Sequence, residues 1–78
     1  MTKHEICVHI KDEEMLQKAK ELLEKHGEKI DFEEFDSHCS FLSYDTSCKD
    51  WFTHDDKDGL IEITLEILDD ILACKWRP

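Results

Sequence analysis

Apolar positions along this chain change period more than once. From Lys3 to Lys11 they alternate. Ile6, Val8 and Ile10 point one way, and Glu5, Cys7, His9 and Lys11 the other, as in a half-buried strand. From Asp12 the period becomes helical. Met15, Leu16, Ala19, Leu22 and Leu23 share one face of a 3.6-residue repeat. Asp12 suits the N-cap, because its carboxylate can accept from an otherwise unpaired backbone N–H. Glu13 and Glu14 sit at the positive end of the helix dipole, and Lys25 and His26 at the negative end. Gly27 fits the position after the last turn, where a left-handed conformation is needed. Glu14–Lys18 and Glu21–Lys25 are favourable i,i+4 pairs. The pattern therefore predicts a strand followed by a capped helix over Asp12–Gly27.

Beyond the helix the pattern loosens. Residues 28–38 set Ile30, Phe32 and Phe35 among acids, which predicts an irregular acidic connection whose aromatics cover a core edge. Cys39–Asp45 and Asp50–His54 predict a hairpin around the polar turn Thr46–Lys49, with Phe41, Tyr44, Trp51 and Phe52 suiting its strands. Asp55–Gly59 is a turn signal. Leu60–Ile67 fits strand alternation, and Leu65–Trp76 fits a helix. The resolution is a short strand Leu60–Ile63, Thr64 as N-cap, and a helix Leu65–Trp76 with Ile63 and Leu68 stapling its entry. The expected class is α+β. One domain, residues 1–78, has a single-layer sheet of three to four strands and two helices on one face, in the order β-α-β-β-(β)-α. The sheet face bearing Cys7 and His9 must then be polar, covered by the connection, or used for a partner.

Charge changes this picture. Twenty acids against ten bases give −10. Residues 1–27 carry six acids and five bases, whereas residues 28–70 carry fourteen acids and three bases. The helix is nearly neutral scaffold, and the excess acid lies in the segments it supports. Direct nucleic-acid binding is disfavoured, since phosphate contacts need clustered Lys and Arg. A basic protein surface is the favoured partner. No apolar run reaches the ~20 residues of a membrane span, and the first ten residues lack a signal-peptide core, so the expected location is cytoplasmic, with reduced cysteines.

Three kinds of site chemistry are weaker. Asp56–Ile67 resembles an EF-hand loop in Asp56 and Asp58. Its glycine and bidentate-acid positions are instead Ile61 and Ile67, and the upstream fragment ending near Glu34 lacks its early ligands. Cys7, His9, His38, Cys39, Cys48, His54 and Cys74 supply zinc-ligand atoms without zinc spacings; Cys7, His9 and Cys39 are the best trio, as an alternative reading. No nucleophile elbow, glycine-rich phosphate loop or thiolate-activating helix start is present, so neither a catalytic residue nor a cofactor is expected. An acidic interaction surface remains. Glu28, Asp31, Glu33, Glu34 and Asp36 form one group. Asp50, Asp55, Asp56 and Asp58 form another near the hairpin, with Tyr44 and Trp51 as aromatic anchors inside an acidic rim. In size, charge and element order the chain is similar to small orphan proteins of bacteriophages, including anti-defence inhibitors. That resemblance implies stoichiometric binding in a host cytoplasm, and carboxylates on a small rigid scaffold can mimic a phosphate row. The Cys7 and His9 sheet face is expected to supply a second interface or a homodimer contact.

Overall fold

A computed structural model describes residues 3–73. After a 3₁₀ turn at Lys3–Glu5 come β1 (Ile6–His9), α1 (Glu13–Lys25), β2 (Phe41–Asp45), β3 (Asp50–His54), β4 (Ile61–Ile63) and α2 (Leu65–Ala73). The fold is the α+β arrangement expected, and the optional fourth strand is present. The expected last turn of the second helix, beyond Ala73, lies outside the described residues.

α1 forms as its sequence dictates. The Asp12 carboxylate accepts from the Met15 N–H at 2.8 Å. At the other end Gly27, at φ 73°, closes a Schellman motif: its N–H donates to the Glu24 carbonyl, and the Glu28 N–H donates to that of Leu23. Glu14 and Lys18 pair at 3.7 Å on the exposed face. Lys25, however, reaches Asp69 of α2 at 3.3 Å, so the ion pair runs between helices rather than back to Glu21. Thr64 caps α2, its hydroxyl accepting from the Ile67 N–H at 3.3 Å.

The four strands lie in the order β3-β2-β1-β4; β1–β2 and β2–β3 are antiparallel and β1–β4 is parallel. The register sorts every side chain to a face. Val8 lies opposite Leu42 and Ile63, and Tyr44 opposite Trp51. That face packs against Leu16, Ala19 and Leu23 of α1 and Leu68 and Ile71 of α2, which with Ile6, Ile10 and Trp51 make one buried core. Both helices therefore cover the same face. Burying each such aliphatic side chain contributes roughly 1.5–3 kcal/mol.

The connection after α1 does more than expected. Ile30, Phe32 and Phe35 pack against the core. In addition the Trp51 N–H donates to the Lys29 carbonyl at 2.9 Å, and the Asp31 N–H to the Trp51 carbonyl at 2.7 Å. The connection thus adds a one-residue bridge, Ile30 to Trp51, that blunts the outer edge of β3.

β3 and β4 both run in the direction of β1 but sit at opposite edges of the sheet. Residues 55–60 must therefore cross β2 and β1, and also return from the His54 end to the level of Ile6 and Ile61. Lys57 shows which face they cross. Its ammonium lies 2.9 Å from the Glu62 carboxylate, and Glu62 shares a row with Cys7 and Ser43. The crossing is a strap over the face away from the helices. It accounts for Cys7 at 0 % and Ser43 at 2 % exposure although neither belongs to the main core. A turn from Lys57 to Leu60 tightens it, with Asp58 (φ 53°) and Gly59 (φ 78°) both left-handed.

Asp69 joins the two helices. His26 Nε2 lies 2.8 Å from its carboxylate, and Lys25 adds a second contact. The hydrogen bond from His26, then that from Lys25, hold the Asp69 carboxyl below its ordinary value. A carboxyl depressed by folding contributes stability above its unfolded pKa and loses it as pH falls through the folded one. Asp69→Asn is therefore expected to flatten the acid limb of the thermal midpoint below pH about 4. Parallel profiles at all pH values would show that the inter-helix pair does not act on stability.

Candidate functional site

The acidic surface expected from the sequence divides into three regions. At one end of the sheet Asp45 lies directly opposite Asp50. Like charges so placed repel. The turn between them is held by the Asp45 carboxylate, which accepts from the Ser47 N–H at 2.8 Å and the Cys48 N–H at 3.4 Å. Lys49, at φ 59°, completes the reversal in a left-handed conformation that is uncommon for a side-chain-bearing residue. Asp31 of the connection is also brought near. Asp45, then Asp50, with Asp31 as a smaller influence, push the Cys48 thiol above its ordinary value. Asp31 and Asp45 were not expected at this end. Neighbouring strands and the Ile30–Trp51 bridge, none of them local in sequence, bring them there.

Asp55, Asp56 and Asp58 lie at the other end of β3, on the strap, and are exposed. The expected single group of Asp50, Asp55, Asp56 and Asp58 is thereby corrected. β3 separates Asp50 from Asp55 by five steps of extended chain, roughly 16 Å at ~3.3 Å per residue. Glu33, Glu34 and Asp36 occupy a third region beside α1, where the Lys20 ammonium donates to the Glu33 carbonyl. They are exposed too.

Glu28 belongs to none of these. Its carboxylate accepts from the Lys3 ammonium and the Trp51 indole N–H, both at 2.9 Å, and its side chain is only 16 % exposed. The aromatic anchors are corrected in the same way. Trp51 is 0 % exposed, on the helix side of the sheet. Tyr44 packs beside it at 5.5 Å, beneath the Lys3 ammonium at 4.3 Å. Trp51 is a core residue, and no partner can reach it in the folded chain.

The aromatics on the strap side are Phe41 and Phe52, which strand parity separates from Tyr44 and Trp51. His9 stacks on Phe41 at 4.9 Å and 22°, and His54 on Phe52 at 4.9 Å and 29°. All four are half-buried. Signals in the sequence were available for this. Phe41 and Phe52 have the opposite parity to Tyr44 and Trp51 within the hairpin, and Cys7 and His9 mark the same face on β1.

Ser43 Oγ and His54 Nε2 share a hydrogen bond of 2.7 Å. The pair satisfies a buried hydroxyl, which would otherwise carry a desolvation penalty. Among the described residues no carboxylate hydrogen-bonds His54 as the acid of a catalytic triad would. Cys7 is no better placed as a nucleophile. Burial, then the Glu62 charge, push its thiol up, against a smaller opposing pull from Lys57.

The zinc trio is also corrected. Cys7, His9 and Cys39 do not converge. Among the described residues the group of three within ligating reach is Asp45, Cys48 and Asp50. The flanking carboxylates push its thiol up, which disfavours the thiolate. The described cysteines Cys7, Cys39 and Cys48 are free thiols. No described helix is long and apolar enough to cross a membrane. No family model, curated protein or solved structure matches the chain.

Proposed function

We propose that this protein is a non-enzymatic binding module that docks acidic surface on a basic protein partner. One observation carries the reading. Asp31, Glu33, Glu34, Asp36, Asp45, Asp50, Asp55, Asp56 and Asp58 have no ion-pair partner among the described residues, whereas Glu28, Glu62 and Asp69 are paired within the fold. Crowded like charges destabilise a compact chain, yet the same charges raise its encounter rate with a basic surface. In the form closest to the small phage inhibitors that the sequence resembles, binding is itself the activity. One copy occupies a basic nucleic-acid-binding cleft, and its carboxylates stand where phosphates would lie.

The test begins with affinity capture from a host extract at low and moderate salt, with captured proteins identified by mass spectrometry. A purified captured protein is then titrated with the wild type and with Asp55→Lys/Asp56→Lys/Asp58→Lys. The expected partner is basic, its affinity falls as salt rises, and the triple variant binds at least tenfold more weakly while keeping its unfolding midpoint. Equal affinity for wild type and variant would remove the strap from the interface. Affinity independent of salt would overturn the electrostatic reading as a whole.

A further inference from the structure

We infer that the strap-side face of the sheet is an arginine-reading surface, and that the partner docks there a basic segment rich in arginine. The inference rests on the acidic-module reading and adds to it a face and a side-chain chemistry.

Three observations converge on this face. First, Phe41 and Phe52 lie outside the hydrophobic core and outside the set of side chains packed against it, although Phe32, Phe35 and Tyr44 belong to that set. Phe41 and Phe52 stand instead on the sheet face that only the strap crosses, and both keep part of their surface exposed. Second, they are stacked. Register places His9, Phe41 and His54 in one row and Phe52 in the next, and each phenyl ring is stacked nearly parallel on an imidazole. Rings held against a neighbour have fewer rotamers left to lose, which reduces the ordering cost of binding. Third, the rings are bracketed by carboxylates with no ion-pair partner among the described residues: Asp45 and Asp50 at one end of the face, Asp55 and Asp56 at the other.

Planar aromatic faces flanked by acids suit a guanidinium. It lies flat on a ring by cation–π attraction and forks to a carboxylate through two N–H groups. An ammonium has one strongly hydrated point charge and gains less from either contact. Charge disfavours two other occupants. A second copy would bring another −10 against the same face. A single-stranded nucleic acid would stack on the rings but would set its phosphates against the four aspartates.

The experiment measures fluorescence anisotropy of labelled oligo-arginine, oligo-lysine of equal length and oligothymidylate, at one moderate salt concentration. The proteins are the wild type, Phe41→Leu/Phe52→Leu, and Asp45→Asn/Asp50→Asn. Leucine keeps an apolar strand residue and removes the ring. The wild type is expected to prefer oligo-arginine, and the leucine variant to lose roughly two- to fivefold in that preference for each ring. The asparagine variant is expected to weaken both peptides together. Equal binding of the two peptides, unaffected by the leucine changes, would overturn the aromatic surface and leave the acidic-module reading standing. Binding of neither peptide would overturn both. Tight binding of oligothymidylate, or self-association in sedimentation that the leucine changes abolish, would overturn the inference in favour of nucleic acid or of a second copy. If the leucine variant fails to fold, amide shift mapping of the wild type with oligo-arginine decides the question. Shifts confined to β2, β3 and the strap support the inference, and shifts on the α1 surface overturn it.

Discussion

Trp51→Ala is expected to remove a large share of the protein's stability. Trp51 has the largest of the fully buried side chains and sits where β3, the connection and the core meet. Truncating a buried tryptophan costs roughly 3–5 kcal/mol, because the lost transfer energy is joined by a cavity that its surroundings fill only in part. A domain of this length has roughly 4–12 kcal/mol of stability in all, at ~0.05–0.15 kcal/mol per residue. A second loss comes from the hydrogen bond to Glu28, whose carboxylate keeps Lys3 as its partner but loses the indole N–H. Urea unfolding checks this. The midpoint is expected to fall by more than about 1 M, given a slope of ~1–3 kcal/mol per molar. Trp51→Phe should fall between the two, since it keeps most of the apolar area. A midpoint unchanged in the alanine variant would return Trp51 to the surface, as a partner anchor.

Glu28→Ala is expected to produce the second-largest loss, roughly 2–3 kcal/mol, although Glu28 is one acid among twenty. Removing the carboxylate leaves a buried indole N–H without an acceptor and takes away the charge that holds Lys3 over Tyr44. Glu28→Gln should lose less, because an amide oxygen still accepts. The pair is best measured as a cycle. In a Trp51→Phe background the alanine substitution should cost about 1 kcal/mol less, since the donor is already gone. Strict additivity would show that the bond contributes nothing. By contrast, Glu33→Ala or Asp36→Ala, from the same acidic stretch, should stay within about 0.5 kcal/mol of wild type.

Glu28 shows where reading the sequence succeeds and where it stops. Most of what is local to α1 was legible: the apolar stripe, the Asp12 cap and the Gly27 exit each depend on residues close in sequence, whereas the expected Glu21–Lys25 pair gives way to a contact with distant Asp69. The hairpin and the Thr64 cap were legible for the same reason. Glu28 comes immediately after Gly27, and in sequence nothing separates it from its acidic neighbours. Its role depends on Trp51 and Lys3, each more than twenty positions away. Tyr44 and Trp51 failed as anchors for a related reason. Alternation assigns two faces to a strand but does not say which face the helices will take, and that choice depends on the pairing with β1. The division of the acids needed one further fact, that β4 lies beyond β1 and not beside β3. Turn chemistry at Asp58 and Gly59 announces a reversal, and it is silent on how far the chain travels before and after it.

The strap carries a consequence for the order of assembly. β1 is the second strand from one edge in space but the earliest strand in the chain, and its parallel partner begins only at Ile61. Until that late segment arrives, β1 has one flank of unpaired N–H and C=O groups beside its apolar side chains, an open template for pairing with another chain. Parallel pairing over so long a stretch is slow to close. A nascent or truncated chain ending before Ile61 therefore combines an unguarded strand with a core that still lacks Ile63, Leu68 and Ile71. A refolding chain passes through the same exposure, and its aggregation should depend on protein concentration in the interval before β4 is seated.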